Sequence, residues 1–516
     1  MSIEKSDFLQ IFLVQINLCC YNENIKIEEA ILMSAFTVVI AFAVTLTAVS
    51  YAWGMRGDLI GGEEGAMLPG AVLGLCLAVF SGCEIIKENF FVFAAVGAAA
   101  MFMGGTEPYA QTMAKLYWGE KYINRRDVKK HNLGLGIKGA AWFGIAGGFI
   151  GMSYTAATGC YYKAADIPLM LVIAVIMRYL GVRLLNKPLD PEKKVFPRYY
   201  FSDTSQEEWG GLWGIMLTMI GFMILRHDFF SLKLIFCGTV SGSVGWLISN
   251  FLNAYTLFPQ RRNNKYFFGK FQERGKIDNW KIIEFSYGAL GSLGILIGFF
   301  SSRSILFSYY RVIEFNGGIW SPLSEIFDRF DFSAVLSALW IALIVLDALH
   351  HCIKNPSEKF SRLVTLCRRP LFSYSVLCLC LLGAKQAAVF ASFSLLLWAG
   401  VEEFCFVSLP QEKYKYSGIA VGLSVSLTVI LSLLPFVTGI NYGYKSTFII
   451  YCLSYFLETV FLSVIGAKKS LPKYLSEHPD AVRTTAFFEC LGSSFSVKLH
   501  YLFCIVLSSA LMFIFA

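Results

Sequence analysis

The residues of this sequence best suited to chemistry are carboxylates set beside glycine and tryptophan where long apolar runs begin or end. The first segment is Trp53-Gly-Met-Arg56-Gly-Asp58-Leu-Ile-Gly-Gly-Glu63-Glu64-Gly65, followed closely by Pro69 and Gly70. The others are Gly104-Gly105-Thr106-Glu107-Pro108-Tyr109, Lys138-Gly-Ala-Ala-Trp142, Gln206-Glu207-Glu208-Trp209-Gly-Gly211 and Asn279-Trp280-Lys281-Ile-Ile-Glu284. Lys281 and Glu284 stand three apart, within reach of each other on a helix. Asn250 and Asn253 share that spacing.

Glutamates within a few residues of lipid are expensive unless they are paired or hydrated, and a helix start needs no more than one acid. Arg56, Glu63, Glu64, Glu107, Lys138, Glu208, Asn250, Asn253 and Glu284 are therefore the expected lining of a substrate or ion cavity. The acids would bind or relay cations or protons, and Arg56 and Lys138 would serve as counter-charges. Trp209 and Trp280 are expected to be interfacial anchors.

Histidine offers a second chemistry. His350 and His351 are adjacent and point about 100° apart on a helix, so they lack the four-residue spacing of a two-histidine metal site. No metal is expected. Either histidine, or Asp58 or Glu64, could act as the general base of a membrane-embedded transferase working on a lipid or lipid-linked substrate. Neither G-x-x-x-x-G-K-[ST] nor G-x-S-x-G occurs, which weakens nucleotide-driven and hydrolase readings, and no cofactor is called for.

The elements that must hold these groups follow from composition. Of the 516 residues 56% are apolar and only 16% charged, with a mean hydropathy of +0.57. Soluble domains carry about 25% charged residues, so this chain cannot cover a water-exposed surface of its size. Apolar runs fall at about 31–52, 67–86, 90–105, 137–158, 165–185, 210–226, 231–251, 282–302, 332–351, 371–384, 386–408, 416–440, 446–466 and 496–516. Many approach the 20 or so residues that a spanning helix needs. The third could be re-entrant, and the tenth could be half of a broken pair with the eleventh. The expected fold is an all-α polytopic membrane protein of about 12–14 transmembrane helices without a soluble domain. Residues 1–30 form an N-terminal interfacial segment, 31–303 a glycine-rich core carrying the site, and 304–516 a Phe- and Leu-rich half.

Lysine and arginine give the sidedness. Six alternate loops from residue 106 onward carry 28 of them, against 8 in the loops between, which places the large basic loops in the cytoplasm and the chain in the plasma (inner) membrane. The net charge of +8 is thus topological, and aromatics among the basic residues, as at Tyr266, suit anionic lipid better than nucleic acid. Fourteen cysteines without a C-x-x-C pair read as packing residues.

Glycine is concentrated in one half: residues 51–300 hold 34 of the 44. Pairs four apart, such as Gly70/Gly74 and Gly147/Gly151, let helices approach closely in lipid. The reading that joins these features is a multispanning transporter, ion- or proton-coupled, moving a small polar or charged solute. Membrane lipid and that solute are its expected partners; nucleic acid is not, and the sequence is compatible with an oligomer.

Overall fold

In a computed structural model, the described residues are 35–59, 65–82, 86–87, 89–107, 109, 112, 125–157, 162–163, 165–186, 199–201, 207–257, 279–308, 335–336, 338–339, 342, 346, 357–381, 467–468 and 470–491. Among them 89% are helical and none lies in a strand. That composition suits lipid, where every backbone N–H and C=O must be satisfied within its own segment or its neighbours.

The main helices are α1 (Ala35–Leu59), α2 (Met67–Val79), α3 (Phe90–Gly105), α4 (Arg125–Ala157), α5 (Asp166–Gly181), α6 (Trp209–Leu225), α7 (Phe229–Leu257), α8 (Asn279–Ser308) and α9 (Glu358–Leu381). A π-helical turn, Val182–Asn186, extends α5. A helix thus forms at each of the first eight expected spans. Of the later ones, 371–384 overlaps the end of α9; 332–351 is described at isolated positions only, and 386–408, 416–440, 446–466 and 496–516 lie outside the described residues, as does 1–30.

Among the described residues, five helices are long and apolar enough to cross a membrane: α1, α4, α5 with its π turn, α7 and α8. Their length and composition suit a membrane protein. α2, α3 and α6 are apolar but shorter. The 13 residues of α2 reach about 20 Å at 1.5 Å per residue, short of a hydrocarbon core of about 30 Å. The expected second span, 67–86, ends early because Phe80-Ser81-Gly82 turns the chain, with Gly82 at φ 73°. α3 is buried at all but its first residue, so it is enclosed by protein instead of facing lipid.

α2 and α3, α4 and α7, and α5 and α6 run antiparallel, α6 and α8 run parallel to α4, and glycine sets how closely helices meet. A Cβ on Gly74 of α2 would lie 2.0 Å from the Phe93 carbonyl oxygen of α3. One on Gly147 of α4 would lie 2.3 Å from the Leu234 oxygen of α7, and one on Gly181 of α5 2.0 Å from the Gly210 oxygen of α6. In each case the obstacle is backbone, which cannot swing aside. Gly221 of α6, by contrast, has nothing within 4 Å. Gly74→Ala is expected to destabilise the protein by about 1–3 kcal/mol through forced separation of the helices. Gly221→Ala is expected to be neutral or stabilising by up to about 1 kcal/mol, because alanine restricts the unfolded chain. Thermal unfolding of the two variants in detergent checks the contrast; equal effects would show that close approach does not limit this packing.

α4 is the axis of the assembly, packed against α3, α6, α7, α8 and α9. Its apolar stretch is 89% buried, against 28% for α1 and for α5. The outer faces of other helices carry exposed apolar side chains, including Phe36 and Val39 of α1, Val172 and Ile176 of α5, and Phe236 and Phe251 of α7.

Candidate functional site

Packing of α3 antiparallel to α4, and of α6 parallel to it, brings the end of α3 and the early part of α4 together with the chain entering α6. Glu107 follows α3 by two residues, Lys138 sits on α4, and Glu207 lies two residues ahead of α6. The Lys138 Nζ is 3.1 Å from Glu107 Oε1 and 3.0 Å from Glu207 Oε1, and it donates to Thr112 Oγ1 at 2.9 Å. All three charged side chains are at most 2% exposed.

The other oxygens of both carboxylates are held by backbone. Glu107 Oε2 accepts the Glu208 N–H at 2.8 Å, and Glu207 Oε2 accepts the Phe201 N–H at 2.8 Å. Glu107 Oε1 differs: it contacts Lys138 as an ion pair but accepts no aligned hydrogen bond among the described residues. Burial pushes the Glu107 carboxyl up to about 7; Lys138 and the Glu208 N–H pull it down, and Glu207 adds to the rise.

The network reaches outward through Glu208, whose side chain is 35% exposed and which pairs with Arg178 of α5 at 2.8 Å. Arg178 lies within an apolar helix, where a charge is retained only with a partner.

The second charged group is the pair Lys281–Glu284 at the start of α8, at 3.0 Å with the expected three-residue spacing. Lys281 also donates to the Gly54 carbonyl of α1. Asn250 of α7, also buried, donates to Asn132 of α4. Glu107, Lys138, Glu208, Asn250 and Glu284 thus share one end of the helix assembly, but only the first three meet directly.

Between the two charged groups lies a cluster of rings. Trp53, Trp142, Trp246 and Tyr287 are buried, with Tyr109 at its edge. Trp246 stacks on Tyr287 with ring centroids 3.8 Å apart, and Trp53 meets Trp142 at 5.2 Å and Tyr287 at 5.0 Å. Trp142 also donates its indole N–H to the Met101 carbonyl of α3 at 2.9 Å. Glycines form the sockets: a Cβ on Gly104 would strike the Trp142 ring, and one on Gly139 the Trp246 ring.

Of the remaining expected residues, Arg56 and Asp58 lie on the backbone of α1, which is helical through Leu59 where a loop from residue 53 was expected; their side chains lie outside the described residues. The same holds for the side chains of Asn253 and Trp280, and Glu63, Glu64, His350 and His351 lie outside altogether. Trp209 is not a simple lipid anchor. It is buried, and its indole donates to the Tyr199 carbonyl at 3.0 Å, because the segment ahead of α6 folds over it.

Glu207, Thr112 and Arg178 belong to the site without having been singled out. Arg178 could have been found, as an arginine between apolar residues. Nothing in the sequence distinguishes Glu207 from its neighbour Glu208, or marks Thr112.

The opposite end of α4 is polar too. Asp228 caps α7, accepting from the Ser231 N–H at 3.0 Å, the Ser231 hydroxyl at 2.6 Å, the Tyr162 hydroxyl at 2.8 Å and the Thr155 hydroxyl at 3.0 Å. Beside it Arg226 pairs with Asp166. His227, at φ 55°, closes α6, and the hydrogen bonds from His227 N–H to the Ile224 oxygen and from Asp228 N–H to the Met223 oxygen form a Schellman cap. These groups satisfy one another and clip two turns together. Lys138 and Thr155 are 17 residues apart along α4, about 26 Å at 1.5 Å per residue, close to the thickness of a hydrocarbon core.

Among the described residues no three His, Cys, Asp or Glu side chains gather as a metal would need. No family model matches the chain, and neither a curated protein nor a solved structure is significantly similar to it.

Proposed function

We propose that the protein is a multispanning membrane transporter, ion- or proton-coupled, that moves a small polar or charged solute and uses the Glu107–Lys138–Glu207 triad as its coupling site. The observation that carries this reading is that Lys138 is shared by two carboxylates, Glu107 and Glu207, with all three side chains at most 2% exposed. A structural ion pair needs one charge of each sign. A buried carboxylate that shares its ammonium with another is a group whose charge a proton or cation can change, and such a change is what coupling requires.

The position of the triad agrees with this reading. It sits at the helix ends that flank the basic loops beginning near residues 106 and 187, whose lysines and arginines favour the cytoplasmic side of the plasma (inner) membrane. In a fold of 12–14 spans, the site would open to the cytoplasm through Glu208.

The test uses the full-length protein in liposomes on a solid-supported membrane, challenged with amino acids, sugar phosphates and inorganic cations in turn. At least one is expected to evoke a current that Glu107→Gln reduces by about tenfold or more, in line with loss of one charge-carrying group. A folded wild-type protein that gives no current with any solute, or a current untouched by Glu107→Gln combined with Glu207→Gln, would refute the reading.

A further inference from the structure

We propose that Arg178 is a positioning residue for the triad: together with Asn186 it clamps the entrance of α6, and this clamp sets Glu207 and the Glu208 N–H against Lys138 and Glu107. The proposal rests on the transport reading above and names what holds its site in register. The triad uses two adjacent residues ahead of α6, Glu207 through its carboxylate and Glu208 through its N–H. α6 does not fix them by itself, since Glu208 makes no side-chain cap to the helix and turns its carboxylate to Arg178 instead.

α5 holds this segment at two points. Arg178 donates to Glu208 Oε2 at 2.8 Å, and Asn186 Oδ1 accepts the Gly210 N–H at 2.8 Å, satisfying one of the donors that a helix start leaves open. Asn186 is buried and also donates to the Tyr199 carbonyl at 3.3 Å, the same oxygen that receives the Trp209 indole N–H. The π turn makes the double hold possible. In an unbroken α-helix of 3.6 residues per turn, two residues eight apart end about 80° out of line. The wider turn over Val182–Asn186 advances fewer degrees per residue and removes most of that offset, so Arg178 and Asn186 both reach α6. Close contact of Gly181 with Gly210 keeps the two helices near enough for both bonds.

Labelling of carboxyl groups with a water-soluble carbodiimide and glycine ethyl ester, read by mass spectrometry on the purified full-length protein, tests the clamp without requiring transport. Glu107 and Glu207, at most 2% exposed, should react slowly in the wild type. Arg178→Gln is expected to raise labelling of both by about tenfold, through loss of one charged hydrogen bond that opposes local opening. Asn186→Ala should give a rise of similar size. Asp228, buried at the far end of α4, should stay protected in both variants. Arg178→Lys should restore protection, because a single contact needs the charge more than the planar group. Glu208→Gln should match Arg178→Gln, and the two together should do no more than either, since each removes the same bond.

Labelling that stays at the wild-type level in Arg178→Gln or Asn186→Ala, that Arg178→Lys fails to suppress, or that rises at Asp228 as well would overturn the clamp. In the liposome experiment Arg178→Gln should cut the current about tenfold and Arg178→Lys should recover it; a current that Arg178→Gln leaves unchanged would overturn the positioning role. Failure of the transport reading shows itself separately, as absent wild-type currents beside the expected labelling pattern.

Discussion

Lys138→Met is expected to destabilise the protein by about 3–5 kcal/mol, because it strands two carboxylates in a site from which water is excluded. Methionine fills most of the lysine stem, so the loss is electrostatic and not one of volume. The discriminating variant is the triple replacement Lys138→Met, Glu107→Gln, Glu207→Gln. It removes all charge from the site and is expected to recover most of the lost stability, since a buried ionic group replaced by neutral groups of similar shape is often no less stable. Unfolding temperature in detergent and yield of monodisperse protein report both variants. Transport is expected to be absent in both, so the triple variant separates the role of the triad in folding from its role in function. If the single replacement proved harmless, Lys138 would not be the ammonium that holds the two acids.

Trp142→Ala carries the second large effect, also about 3–5 kcal/mol, as expected for a buried indole truncated at a well-packed position. Its ring contacts Trp53 and Tyr109, fits the socket left by Gly104, and its N–H holds the Met101 carbonyl. Trp142→Phe keeps an aromatic ring and forfeits the hydrogen bond, and should cost about 1–2 kcal/mol. Chemical denaturation of both variants gives the comparison. Near-equal losses would mean that the hydrogen bond, and not the ring packing, dominates at this position. The ring cluster lies between the triad and the Lys281–Glu284 pair, and Trp142 is one turn from Lys138 on α4, so Trp142→Ala should also disturb Glu107 by loosening the end of α3.

The expected spans between residues 31 and 302 each correspond to a helix because their signal is strong: apolar runs long enough to dominate local preference, separated by charges that lipid does not tolerate. Their ends were less legible. α1 runs on through Arg56 and Asp58 despite Gly54 and Gly57, since Lys281 holds the Gly54 carbonyl and α8 packs along that face. α2 stops early at Ser81-Gly82, a dipeptide that signals a turn even within an apolar run.

For the site, the cost of charge near lipid was enough to single out Glu107, Lys138, Glu208 and Glu284. It could not show which of them meet. Glu208 supplies its backbone N–H to the triad, and it is the adjacent Glu207 whose carboxylate reaches Lys138. Adjacent residues in an irregular segment differ in direction for reasons that only the folded path decides. Trp53, Trp142 and Trp246 converge on one point from three helices far apart in sequence, a convergence without local signature.

The chain order of the triad bears on how the protein is made. Glu107 is synthesised before Lys138, and Glu207 after it. As α4 enters the membrane, its lysine finds a carboxylate already delivered by the α2–α3 hairpin, so a neutral pair can be buried at once. The second carboxylate, Glu207, arrives only with the segment ahead of α6. The chain order therefore supplies Lys138 with one acid before it is made and with the second only after α5.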